Sequence, residues 1–267
     1  MKRGNKKIYL GVAILVGLGL VVMLAWSRTR EEKGRDLRLG VIADDGIGVV
    51  TISKDRQMIS QMKIKGDTQA WIPGGLGWYR AEAVKKILLQ EKKTGWGRNI
   101  FIYGLGFYPD KVVWVDKIED WKSRYWWQML RNNNLLNKNE DLVGNIDENE
   151  IYLDQVMLRD FAETKVVEAE VKLSVINTSL ANGLAGFITK RLERLGFSVV
   201  SVSTEEGGEN ECKILYGEKV AGSYPLKVLT EIFDCQVSKG DSLNENEIEI
   251  YLTDSFSTMI DYPSYKQ

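Results

Sequence analysis

Residues 172–200 read KLSVINTSLANGLAGFITKRLERLGFSVV, and the period of their apolar side chains changes twice. Val171, Leu173 and Val175 alternate with Lys172 and Ser174, the pattern of a half-buried strand. Asn177, Thr178 and Ser179 form a turn that ends this strand and caps the following helix. Leu184, Phe187, Ile188, Leu192 and Leu195 then share one helical face, and Gly196 stands where a helix stops. Phe197 to Val202 returns to alternation. Downstream, Cys212 to Tyr216 predicts a strand, Pro225 opens a helix running through Leu229 and Phe233, and Glu247 to Leu252 predicts a last strand. The order β-α-β-β-α-β predicts a small two-layer domain over residues 169–255, with two helices on one face of a four-stranded sheet. A ferredoxin-like arrangement is the natural candidate.

Upstream, over residues 37–165, the pattern predicts a separate α/β domain. Leu37 to Ile42 meets the turn Asp44-Asp45-Gly46, Val49 to Ile52 follows, and Met58 to Ile64 completes a run of strands. Trp71 to Gly75 reads as a loop by its proline and glycines. Ala83, Val84, Ile87 and Leu88 place one apolar face on a helix from Tyr79 to about Glu91. Lys111 to Val115 predicts a strand and Trp121 to Arg131 a helix with an aromatic side. Asn132 to Glu150 is polar and reads as a long connection. Ile151 to Phe161 is a short apolar segment that closes this domain, with the boundary near residues 162–168.

Residues 8–26, from Ile8 to Trp26, carry no charge. At about 1.5 Å per residue they nearly match a hydrocarbon core of about 30 Å, which predicts an uncleaved transmembrane anchor behind a cytoplasmic tail of residues 1–7. A cleaved signal peptide is the competing reading, but Leu24-Ala25-Trp26-Ser27-Arg28 offers no small-x-small cleavage site. Basic residues flank the run on both sides, so charge alone leaves its direction open. The fold class expected for the whole chain is thus α/β behind an N-terminal transmembrane helix, with the lipid bilayer as a partner.

The stretch from Lys172 to Val200 resembles the LytR C-terminal domain family, through Val175, Asn177, Thr178, Gly183, Leu184, Ala185, Gly196 and Phe197. The likeness continues through Ile214 to Gly217 and the helix from Ala221 to Phe233. It implies a domain on the outer side of a bacterial membrane, often placed after a LytR-CpsA-Psr module. Residues 37–130 resemble a shortened version of that module, in MKIKGD at Met62–Asp67 before Thr68, in Gly77 to Ala83, and in LGFYPDKVVWVD at Leu105–Asp116. Members of that family are understood to move anionic glycopolymers from a polyprenyl-pyrophosphate carrier to peptidoglycan, using arginines, aspartates and a divalent metal. Here Gly66 stands where the family has its pyrophosphate-contacting arginine, and Lys65 takes the place of its proline. Glycine supplies no charge, and lysine lacks the rigid fork of arginine. The resemblance therefore implies a single-pass membrane protein with its body outside the cell, non-catalytic, binding a cell-wall glycopolymer or an envelope protein.

Composition narrows the chemistry further. With 36 Lys+Arg against 37 Asp+Glu, nothing favours nucleic acid as a partner, and the absence of histidine removes the usual neutral-pH base. Gly46-Ile47-Gly48 is too sparse for a nucleotide loop. The residues that remain as ligand-binding candidates are Asp45, Asp67, Arg80 and Trp126, with no metal and no cofactor expected. Asp45, Asp67 and Arg80 are also the residues a diverged phosphotransferase would use if they met in one cleft. The aromatic helix near Trp126 would serve a protein-interaction scaffold. Cys212 and Cys235 are open to either a disulfide or two buried thiols.

Overall fold

The computed structural model describes residues 36–53, 56–130, 136–142, 150–205 and 211–262. Three long strands, β1 (Leu37–Ala43), β2 (Gly46–Ser53) and β3 (Met58–Lys65), form an antiparallel meander. Strands β4 (Gln69–Ile72) and β5 (Gly77–Arg80) make a separate hairpin, and α1 (Val84–Gln90) follows it. Strand β6 (Lys111–Trp114) joins β1 in parallel; after α2 (Trp121–Leu130), β7 (Leu136–Leu142) joins β3 in parallel. The first sheet therefore runs β6-β1-β2-β3-β7.

This sheet is apolar on both faces, which explains the nearly continuous hydrophobic reading of β1 and β2. Ile42, Ile47, Val49, Met62 and Ile64 pack under α1 and the π-helical segment Ile100–Leu105. Leu39, Val41, Val50, Ile52 and Ile59 pack under Ile118 and the fully buried Trp121. Gly40 is required in the middle of β1 because the ring of Phe101 fills the space a side chain would need.

Helices α3 (Glu150–Val156) and α4 (Thr164–Glu168) lead to the second sheet. There β8 (Lys172–Asn177), α5 (Leu184–Leu195) and β9 (Ser198–Thr204) form a parallel crossover. Strand β10 (Lys213–Tyr216), α6 (Tyr224–Phe233), β11 (Gln236–Lys239), β12 (Glu247–Leu252) and α7 (Asp254–Ile260) complete the lobe. The sheet order is β11-β10-β12-β8-β9, five strands of mixed direction, in place of the expected four-stranded ferredoxin-like sheet. Leu173, Val175, Ile248 and Ile250 bury one face under Leu184, Ile188, Leu192, Leu229 and Ile232. The helix stop at Gly196 has φ +101, and a Cβ there would meet Val167. Ser223 caps α6, its hydroxyl accepting from the Leu226 N–H at 3.4 Å. A disulfide joins Cys212 to Cys235 with 4.8 Å between their Cα atoms, tying the start of β10 to the end of α6.

The two sheets share a core. Trp71, Ile102, Tyr103, Tyr108 and Val166 from the first half lie in the same apolar cluster as the helices of the second. Arg191 Nε donates to the Tyr103 carbonyl at 3.1 Å, and Arg194 Nη1 to the Leu105 carbonyl at 3.3 Å. Gly106, at φ +72, lets α5 come this close, since a Cβ there would lie 2.8 Å from the Arg191 carbonyl oxygen.

Four further expectations are corrected. The loop at Trp71–Gly75 and the start of the helix at Tyr79 are instead the β4-β5 hairpin, with the helix beginning at Val84. The polar connection contains β7, whose Asn-Lys-Asn-Glu-Asp sequence hides a strand paired with β3. Strand β11, exposed along its length, and helix α7 were not expected. Finally, no helix among the described residues is long and apolar enough to cross a membrane. The longest, α5, has 12 residues and spans about 18 Å, well short of a hydrocarbon core of about 30 Å. The anchor expected over Ile8–Trp26 lies outside the described residues. The fold class is accordingly corrected to α/β with mixed helices and sheets. The single-pass topology, the bilayer as partner and the membrane-anchored envelope function are not carried forward.

Candidate functional site

Three turns converge at one end of the first sheet: Asp44-Asp45 between β1 and β2, Gly66-Asp67 between β3 and β4, and Arg80 to Glu82 between β5 and α1. Backbone bonds lock them together, from Glu82 N–H to the Gly66 carbonyl (3.2 Å), from Ala81 N–H to Thr68 (2.9 Å), and from Asp44 N–H to Asp116 (3.1 Å). Asp45, Asp67 and Arg80 thus lie at the same end, but their side chains do not share a task. Asp45 Oδ1 accepts the Ile118 N–H at 2.9 Å, satisfying a free donor at the start of a 3-10 turn. Asp67 is exposed at its turn. Arg80, 70% exposed, makes among the described residues only a 3.8 Å surface contact with Glu82. Trp126 lies in α2, but its side chain is outside the described residues.

The decisive neighbour is one the sequence did not single out. A Cβ built on Gly66 would lie 2.8 Å from Glu82 Oε2 and 3.0 Å from Glu82 Cβ. The backbone at residue 66 is not left-handed, so what a side chain there would meet first is the half-exposed Glu82 side chain. The best-placed cation, Lys85, is committed elsewhere. Its ammonium donates to Val115 O (2.8 Å), Asp44 Oδ2 (3.0 Å) and Asp116 Oδ1 (3.2 Å), using all three of its protons. Burial tends to lower the Lys85 pKa, but the two carboxylates outweigh it and hold the pKa above its ordinary value. Among the described residues no group of three or more acidic or thiol side chains is arranged to hold a metal.

Two of the cavities away from this end carry charged side chains from both lobes. A polar cleft of about 340 Å³ opens at the seam between the lobes, lined by Arg98, Tyr108, Asp110, Tyr224, Lys227 and Glu231. Its charges are internally satisfied. Arg98 stacks on Tyr108 with 4.4 Å from Cζ to the ring centre and reaches Glu231 at 3.5 Å, while the Tyr108 hydroxyl donates to Glu231. Burial and then the bond to Glu231 push the Tyr108 phenol up to about 12. Behind the cleft wall, Arg38 is fully buried, its Nε donating to the Tyr108 carbonyl at 3.0 Å.

A second cavity, a groove of about 400 Å³, lies between α3, α5 and the beginning of β9, with Leu158, Glu193, Phe197 and Val199 among its lining residues. The apolar run Ile151 to Phe161 is expected to close the first domain, and Leu153, Val156, Met157 and Phe161 are buried there in its core. The signal for a second face was an excess of apolar residues. Ile151 and Leu158 fall outside the buried stripe and point outward.

No family model matches this chain, and no curated protein matches it.

Proposed function

We propose that the chain is a non-catalytic binding protein, a relative of the LytR-CpsA-Psr module joined to a LytR C-terminal-like lobe, in which the phosphotransfer end has been sealed. The observation that carries this reading is the Glu82 carboxylate filling the space where residue 66 would project a side chain. Transfer from a pyrophosphate carrier needs preorganised positive charge around the departing oxygens. Here Gly66 supplies none, Lys85 is neutralised between Asp44 and Asp116, and Arg80 extends into solvent. The shared core supports a function of the whole body, since the two lobes present their surfaces in a fixed relation. The disulfide adds a covalent tie between β10 and α6 that fixes the second lobe's part of that surface.

Titration calorimetry with magnesium pyrophosphate tests the reading. The native chain should give no saturable heat. The double variant Gly66→Arg with Glu82→Ala gains binding, because it restores a fork of donors and removes the carboxylate opposing it. Saturable binding by the native chain that disappears in Lys85→Met would overturn the proposal.

A further inference from the structure

Among the described residues, strand β9 is an edge of the second sheet, paired with β8 on its inner side and with no strand on its outer side. Its sequence, SVVSVST, has neither charge nor proline, and Val200 and Val202 are half exposed. Exposed edges are normally blunted by lysine, proline or a covering element, because their unpaired backbone groups recruit further strands. Here the edge is left open, and no backbone hydrogen bond along its outer side is made among the described residues.

The 400 Å³ groove starts where β9 starts. Phe197 and Val199 line it from the strand, Leu158 from the segment after α3, and Glu193 from α5. Leu158 is 55% exposed, and Ile151, about two helical turns back, is 77% exposed. The cations at the groove are already occupied: Arg194 pairs with Asp154 at 2.5 Å and Lys190 with Glu150 at 2.7 Å. Glu193 is the exception, since its carboxylate makes no ion pair or hydrogen bond among the described residues. Burial and then the facing Asp154 raise its pKa, and Lys190 opposes them without restoring the ordinary value.

We propose that β9 and this groove receive an extended, alternately apolar peptide segment of a partner protein, added to the sheet as a sixth strand with a basic side chain on Glu193. An added strand obtains its affinity from main-chain bonds and its selectivity from alternate side chains dropping into the adjoining groove. Leu158, Phe197 and Val199 offer the apolar seat, and Glu193 selects lysine or arginine beside it. A second copy of this chain fits less well, because β9 itself carries no basic residue to answer Glu193. The inference does not depend on the sealed phosphate end, so the pyrophosphate titration and the experiment below can fail separately.

The test uses the full chain and an array of peptides of about nine residues with valine at alternate positions and lysine, serine or glutamate at the centre. The lysine peptide should bind about tenfold more tightly than the serine peptide, the range of one charge-assisted contact, with the glutamate peptide weakest. Binding should slow amide hydrogen exchange across Ser198–Thr204. Glu193→Lys should reverse the lysine–glutamate order, and Leu158→Asp should weaken all three peptides while leaving the circular dichroism spectrum unchanged. The proposal is overturned if no peptide protects β9 or if the order ignores Glu193→Lys. It is equally overturned if the β9 amides are protected without peptide, either in proportion to protein concentration, as by a second copy, or at all dilutions, as by a segment of the same chain.

Discussion

Arg38 offers a quantitative test of how the two lobes are joined. Its guanidinium is fully buried, 3.6 Å from Glu163 Oε2 and 4.5 Å from the centre of the Phe107 ring, while Nη1 and Nη2 have no hydrogen-bond partner among the described residues. Burial lowers its pKa, opposed first by Glu163 and then by Tyr224, Asp110 and Asp36. At 3.6 Å and an effective dielectric of about 20, the Arg38–Glu163 attraction amounts to roughly 4–5 kcal/mol. Desolvating two ions costs several kcal/mol each, so the pair as a whole contributes little net stability. Removing one partner is different, because it leaves the other charge buried alone. Arg38→Met and Glu163→Gln should each cost about 3–5 kcal/mol, whereas the double variant should cost only about 0–2 kcal/mol. Urea denaturation of the four proteins, with unchanged slopes, measures the cycle. Additive single losses, or an Arg38→Met protein as stable as the native one, would refute the reasoning.

Gly106→Ala should destabilise the protein by about 2 kcal/mol or more, since its Cβ would press on the Arg191 carbonyl; Gly75→Ala, also at positive φ but with nothing within 4 Å, should cost only about 1 kcal/mol by the same denaturation assay. Replacing Cys212 and Cys235 by serine opens a bridge across 23 residues and should cost about 3 kcal/mol, read from the midpoint under non-reducing conditions. In acid, Glu150 and Glu231 should both contribute to unfolding. Burial raises each pKa, but Lys190, Arg194 and Arg191 outweigh it at Glu150, and Tyr108, Arg98 and Lys227 at Glu231, leaving both below their ordinary values. Their stabilisation is complete above the ordinary carboxylate pKa and is lost as pH falls through the depressed values, so Glu150→Gln should flatten the acid limb of a stability–pH curve. Glu193 has the opposite sign: its raised pKa makes the ionised form unfavourable in the fold, so Glu193→Gln should raise the thermal midpoint at neutral pH and not in acid.

The parts of the fold that were legible are those whose residues face one core. Strand β8 and helix α5 announce themselves because Leu173, Val175, Leu184, Ile188, Leu192 and Leu195 bury a single stripe, and Gly196 ends the helix with a positive φ that only glycine adopts freely. Strands β7 and β11 were hidden for the converse reason. Gln236–Lys239 lies exposed at a sheet edge, and the residues from Leu136 to Leu142 are mostly polar, so neither carries the alternation that reports burial. Asp45 and Asp67 could be named from their turns, but the state of the site is decided by Glu82, 16 residues beyond Gly66, and by the partners of Lys85. Those contacts depend on how the β4-β5 hairpin folds α1 back onto the turns, which no local pattern records. The groove was missed because apolar residues in a short helix read as core until the structure shows which of them face outward.

The proposal that this end holds no pyrophosphate site is tested most directly by heteronuclear NMR of the chain titrated with inorganic pyrophosphate and magnesium, following the amides of residues 44–46, 66–68 and 80–85. The account predicts small, non-saturating shifts without focus on these three turns. Saturable shifts concentrated on Asp45, Gly66, Asp67 and Lys85 would contradict it and return the first lobe to phosphoryl chemistry.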